Sequence, residues 1–187
     1  MAQFFTQIEP ALRDFIERQH IFFTASATAD ARINLSPKGS DCFRVLSPNQ
    51  TAYLDQTGSG NEAAAHLRAD GRMTIMFCAF DGPPLILRLY GRGHTIPKGS
   101  PDYQRLLAEA FGGDEPPGAR QIVVLEVQQV QTSCGYSVPV YDFKEDRENL
   151  KDWAARMGDE GLRAYWVNKN TQSIDGLPTG MAEILGV

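Results

Sequence analysis

Cysteine is scarce in this chain: Cys42, Cys78 and Cys134 lie far apart and are odd in number. Such a set builds no disulfide framework and fits a reducing, cytoplasmic compartment. Histidine is equally sparse, and His20, His66 and His94 lack the clustered spacing that a metal site needs. An excess of basic charge is missing too. A net charge of −5 argues against a general binder of nucleic acid or anionic membrane, because those need a basic field; a local basic pocket stays compatible with it. No apolar run approaches the roughly 18 residues that span a bilayer, and the longest, from Met73 to Phe80, has the length of a buried strand. The N-terminus shows no basic segment followed by an apolar one, so no signal peptide is expected. There is no internal repeat and no low-complexity tract. Ser59 sits between glycines but lacks the G-x-S-x-G spacing of a nucleophile elbow, and nothing else in the sequence supports Ser-His-Asp chemistry.

What remains is an ordinary globular composition, 42% apolar and 22% charged over 187 residues, enough for one domain with a real core. Residues 6–19 carry Ile8, Leu12, Phe15 and Ile16 at helical spacing, with Pro10 suited to the first helical position and Glu9 to the cap. Strands are expected at 21–26 and 32–36 as a hairpin, then at 43–46 and 51–55 around Ser47-Pro48-Asn49. A short helix from Asn61 to about Ala69 ends at Asp70-Gly71. A second hairpin pairs 72–80 with 85–93. Ser100 caps the next helix, with Pro101 at its start and Gly112-Gly113 at its end. Residues 121–131 alternate strictly, Ile122, Val124 and Glu126 against Val123, Leu125 and Val127, as a long strand does. Two tail helices follow, one bearing Leu150, Trp153, Ala154 and Met157, the other Leu162, Tyr165 and Trp166; both tryptophans read as core. Strands outnumber helices, short turns join them, and no βαβ rhythm appears. The fold class is therefore mainly β (α+β), a small antiparallel barrel with peripheral helices. The chain reads as one domain over 1–187, with a barrel and its helices in 1–145 and a helical extension in 146–187.

Two loops carry the chemical signal. Asn34-Leu35-Ser36-Pro37-Lys38-Gly39 ends one strand and offers a cation on a stiffened turn. Thr57-Gly58-Ser59-Gly60-Asn61-Glu62 ends another and opens a helix, where glycine-rich backbone amides can gather an anion. Together they suggest a pocket for a phosphorylated planar cofactor. Ser59 with Glu62 reads equally as a capping box, and Lys38 equally as a solvated lysine. The glycines Gly58 and Gly60 favour the ligand, since a cap needs neither. Arg88 lies between Ile86 and Tyr90 on one strand face, and a cation among apolar neighbours needs a partner or a ligand.

These two loops, with His66-Leu67 behind the second, and the run Leu87-Arg88-Leu89-Tyr90-Gly91-Arg92-Gly93 resemble the pyridoxamine 5′-phosphate oxidase-like split-barrel flavoproteins. The tail pieces Cys134 to Pro139 and Ser173 to Pro178 are similar to those of an uncharacterised bacterial branch of that family. The resemblance implies a split β-barrel homodimer with FMN in a cleft between subunits. It places Asn34, Leu35, Ser36 and Lys38 along the flavin ring and ribityl chain, and Thr57, Gly58, Ser59, Gly60 and Asn61 at the phosphate. Arg88 stands behind Lys38 as a second cation toward the flavin. Where the oxidase has a Ser-Arg-Lys phosphate clamp, this chain has Ser59-Gly60-Asn61, so the phosphate is expected to lean on amides rather than charge. The oxidase's Arg- and His-bearing substrate segment has no counterpart, which speaks against vitamin B6 as substrate. Two functions stay open: an FMN-dependent oxidoreductase acting on a small molecule, and a flavin-binding sensor, carrier or sequestering protein without turnover. The sequence offers no catalytic acid or base to decide between them.

Overall fold

The structure, a computed structural model, describes residues 2–187. In chain order it runs β1 (Gln3–Phe5), α1 (Pro10–Glu17), β2 (Phe22–Ser26), β3 (Asn34–Lys38), β4 (Phe43–Ser47), β5 (Gln50–Gln56) and α2 (Glu62–Ala69). Then come β6 (Arg72–Cys78), β7 (Ile86–Pro97), α3 (Pro101–Phe111), β8 (Ala119–Ser133), α4 (Asn149–Lys169) and α5 (Met181–Leu185). All pairings between strands are antiparallel, in the order β3-β2-β6-β7-β8-β5-β4, and β1 adds to β8 beyond the end of β5.

The sheet closes on itself through side chains. Four strands lie between β2 and β4 in the pairing order, yet Phe22 and Phe43 meet with ring centroids 4.9 Å apart. Phe77 of β6 and Tyr53 of β5 join them at 5.0 and 5.7 Å, so rings from four strands fill one interior. Among the described residues no backbone ladder joins the β3 and β4 edges, and that seam is the split. β8 explains why its alternation carries apolar residues on both sides. Val123, Leu125 and Val127 face the barrel interior, while Ile122 and Val124 face a second core under Leu106 and Leu107 of α3. Where β7 crosses β8 the register shifts at Tyr90/Gly91, and a Cβ at Gly91 would lie 1.9 Å from the Glu126 carbonyl oxygen. Only glycine lets the two backbones approach so closely.

Several sequence expectations shift. The first helix is shorter than 6–19, because Pro10 occupies its first turn and Glu9 precedes it in extended conformation. The first hairpin has a longer connection than Ala29-Asp30-Ala31, since β3 starts at Asn34 where Ser26 finds its partner. Ser100 caps α3 as expected, its Oγ accepting from the Tyr103 amide, and Gly112 ends that helix at φ 73°. The two expected tail helices are the halves of α4, separated at Gly158 with φ 62°. The short strand β1 and the helix α5 were not legible, being only 3 and 5 residues long. No helix among the described residues is long and apolar enough to cross a membrane.

Candidate functional site

Beside the split lies a cleft of about 800 Å³. Its first wall is β3. A strand turns alternate side chains to alternate faces, so Asn34, Ser36 and Lys38 share the half-buried face and line the cleft, while Leu35 points outward at 65% exposure. Its second wall is the loop from Gly58 to Asn61 and the first turn of α2. The third is the end of α4 and the chain after it, where Lys169, Gln172, Ser173 and Ile174 complete the lining.

At the floor sits a charged network that joins residues distant in sequence. Asp55, 3% exposed at the end of β5, accepts from Lys38 Nζ at 2.7 Å, Arg120 Nε at 2.8 Å and Gln121 Nε2 at 2.9 Å. Burial pushes the Asp55 carboxyl pKa up, but the Arg120 and Lys38 charges outweigh it and hold the group well below the usual carboxylate range. Arg120, 4% exposed, also donates through Nη1 to the Gly60 carbonyl at 2.9 Å and to Asn170 Oδ1 at 2.7 Å. Its Nη2 has no partner among the described residues.

That network fixes the orientation of Asn61. A carboxylate only accepts, so Gln121 must turn its amide nitrogen to Asp55. The same nitrogen donates to Asn61 Oδ1 at 2.9 Å. The Asn61 amide nitrogen therefore faces away from Gln121, and it is buried without a partner in a residue 2% exposed. A buried unpaired donor costs about 1–3 kcal/mol, and Asn61 is one of the residues that line the cleft. The amides of Ser59, Gly60, Glu62 and Ala63 likewise find no backbone partner among the described residues. The helix start at α2 adds a favourable dipole for an anion.

The capping box is absent. Asn61, not Ser59, precedes the helix, no side chain caps it, and both Glu62 carboxylate oxygens accept from the Ile174 amide at 3.1 Å. Glu62 is thereby spoken for, which lowers its repulsion of an anion in the loop. Neither Gly58 nor Gly60 takes the left-handed backbone conformation; a Cβ at Gly58 would meet its nearest neighbour at an ordinary 3.6 Å, and one at Gly60 would press on Glu62 Oε1 at 3.1 Å. The local backbone alone does not demand these glycines.

Other expected site residues go elsewhere. Thr57 is a structural tie: its buried Oγ1 donates to the Gly118 carbonyl at 2.7 Å and accepts from Trp166 Nε1 at 2.8 Å. Arg88 is not brought to this cleft within the chain; it lies on β7, with Nη1 3.4 Å from Ser133 Oγ. Behind β3, Ser36 Oγ donates to Asn34 Oδ1 at 3.1 Å, and Asn34 Nδ2 donates to Ser26 Oγ at 3.3 Å. Ser26 Oγ in turn lies 3.1 Å from Nδ1 of the buried His66, so α2 and β3 are tied through one polar chain. Sequence reasoning missed Asp55, Arg120, Gln121, Lys169 and Asn170. The available signal was the set Asp55, Arg120 and Gln121, polar groups at the ends of otherwise apolar strands. The sequence led to an expectation of amides rather than charge at the phosphate; the structure adds Arg120 and Lys169, which bring charge to the cleft.

A split antiparallel barrel with a polar, partly cationic cleft beside its seam defines a fold class, that of the pyridoxamine 5′-phosphate oxidase-like split barrels. Residues 8–134 match the pyridoxamine 5′-phosphate oxidase family, and the chain belongs to it. A pyridoxamine 5′-phosphate oxidase family protein of Aspergillus flavus, UstO, is 39% identical over 194 residues, covering 95% of this chain and 78% of that one. Among solved structures, HupZ of Group A Streptococcus superposes with a TM-score of 0.55 at 18% identity, covering 67% of this chain and 99% of that one. A candidate pyridoxamine 5′-phosphate oxidase of Lactobacillus delbrueckii gives 0.52 at 16% identity, covering 67% and 94%. At such identities the two structures speak to the fold.

Proposed function

We propose that the protein binds FMN in the cleft between β3 and the loop before α2, and uses it as a small-molecule oxidoreductase. The observation that carries this reading is the unpaired, buried Asn61 amide beside Arg120 and a run of free backbone amides. It is a donor set suited to a phosphate ester, which presents acceptors only. Arg120, Asn61 and the 59–63 amides would hold the phosphate. Asn34, Ser36 and Lys38, on one face of β3, would lie along the ribityl chain and ring. Bound FMN supplies the electron-transfer chemistry. The chain's own residues orient it, exclude water on the barrel side and place the Lys38 charge nearby. The same reading includes a two-fold dimer, in which the cleft is completed by the second subunit.

A non-catalytic flavin carrier or sensor is the second reading, and one observation favours it. Asp55, the buried carboxylate of the cleft, is held as an anion by two cations and is not free to exchange a proton. Titration of the apo-protein should quench FMN fluorescence, with riboflavin binding more weakly. Equal affinity for both would remove the phosphate site. Turnover of a reduced nicotinamide by the FMN-loaded protein favours the enzyme, and its absence across donors favours the carrier. Light scattering should give twice the protomer mass, and a monomer with FMN bound would count against the shared cleft.

A further inference from the structure

The geometry points to Asn170, in the chain segment after α4 and outside the stretch that matches the family, as the positioning residue that makes this cleft select a phosphorylated ligand. The proposal rests on the FMN reading for the identity of the ligand, but not for the chemistry of the site. Asn170 is fully buried at 0% exposure. Its Oδ1 accepts from Arg120 Nη1 at 2.7 Å, and its Nδ2 donates to the Gly58 carbonyl at 3.2 Å. Arginine only donates, so the amide orientation is forced by its partner. One side chain thus holds both anion-binding components, the guanidinium and the glycine loop, in a fixed relation.

The arrangement leaves a specific part of Arg120 for the ligand. Nε is taken by Asp55 and Nη1 by Gly60 and Asn170, which leaves Nη2 as the free donor. Asp55 alone would let the guanidinium swing about the Nε–Asp55 contact; Asn170 and Gly60 on Nη1 stop that rotation. The loop is steadied in the same way, because Gly58 and Gly60 carry no side chains and their carbonyls are tied to Asn170 and Arg120 respectively. Asn170 is itself anchored, its carbonyl accepting from Thr179 Oγ1 at 2.6 Å and its amide donating to the Trp166 carbonyl at 2.8 Å. A preorganised donor set loses less freedom on binding than a mobile one. Without Asn170, Arg120 would still be present but no longer aimed.

The test compares wild type, Asn170→Ala, Arg120→Met and the double variant in titrations with FMN and with riboflavin, beside thermal melts with and without inorganic phosphate. Asn170→Ala is expected to weaken FMN binding at least tenfold while riboflavin changes less than threefold. In the double variant the loss should equal that of Arg120→Met alone, because the two act as one unit. Phosphate should raise the melting temperature of wild type and not of Asn170→Ala. Asn170→Asp covers the case in which alanine unfolds the protein: it keeps the acceptor but neutralises Arg120, so FMN should weaken and riboflavin should not. An unchanged FMN-to-riboflavin ratio in Asn170→Ala and Asn170→Asp, or additive losses in the double variant, overturns the proposal. If wild type binds neither flavin, the FMN reading fails by itself, and the phosphate melts decide this one: a phosphate shift lost in Asn170→Ala sustains it, and no shift in wild type overturns it.

Discussion

Asp55→Asn is the sharpest probe of the cleft floor. The wild-type carboxylate accepts from Lys38, Arg120 and Gln121 at 2.7–2.9 Å. An asparagine keeps one acceptor and points an amide donor at whichever partner remains. Lys38 is partly exposed and can turn to water, but Arg120 is 4% exposed and cannot. Removing one partner of a buried ion pair costs about 3–5 kcal/mol, and the retained Gly60 and Asn170 bonds place this case near the lower end. For a chain of this length each kcal/mol moves the melting temperature by roughly 2–4 °C, so a fall of about 6–12 °C is expected at pH 7. The pH dependence carries the sign of the effect. The folded Asp55 carboxyl lies below its unfolded value, because the Arg120 and Lys38 charges outweigh burial. Its contribution is therefore complete above the unfolded value of about 4 and is lost as pH falls below it. The gap between wild type and variant should narrow below about pH 4. Melts across pH 3–8 by circular dichroism read this directly. A variant melting within 2 °C of wild type at pH 7, or a gap that stays constant into acid, refutes the network as described.

Three further outcomes follow from the same geometry. Lys38→Met should lower the FMN midpoint potential in a dye-equilibrated reductive titration, because it removes a cation and unmasks the Asp55 anion beside the cleft; 30 mV corresponds to about 1.4 kcal/mol for a two-electron couple, and an unchanged potential would make Lys38 only a partner of Asp55. Ser59→Ala should leave the melting temperature unchanged, since Ser59 caps nothing, whereas a capping serine would cost about 1 kcal/mol; a clear drop in the melt would restore the box. Gly91→Ala should destabilise by about 1–3 kcal/mol or more, read by urea unfolding, because its Cβ would collide with the Glu126 carbonyl. Neutral behaviour there would mean that the bulge relaxes freely.

The sequence by itself determined what depends on near neighbours. Period-2 alternation marked most of the strands, Ser100 with Pro101 and Gly112 marked α3, and β3 could be read as turning Asn34, Ser36 and Lys38 one way because that follows from the pleat. The glycine-rich loop before α2 was legible for the same reason, and family resemblance extended both loops to a split barrel. What the tertiary structure decided was which polar groups meet. Arg120 stands 65 residues from Asp55 and 50 from Asn170, and no local pattern announces either pairing. Thr57 and Leu35 have the composition of cleft residues, yet Trp166 and the pleat direct them elsewhere. Arg88 looked like a second cation for the ligand, and within one chain β7 sets it beside Ser133, away from the cleft lining. Short-range sterics and periodicity are written in consecutive residues. The meeting of Asp55, Arg120, Asn61 and Asn170 exists only once β5, β8, α2 and the tail are packed, because burial is what makes each of those polar groups require the others.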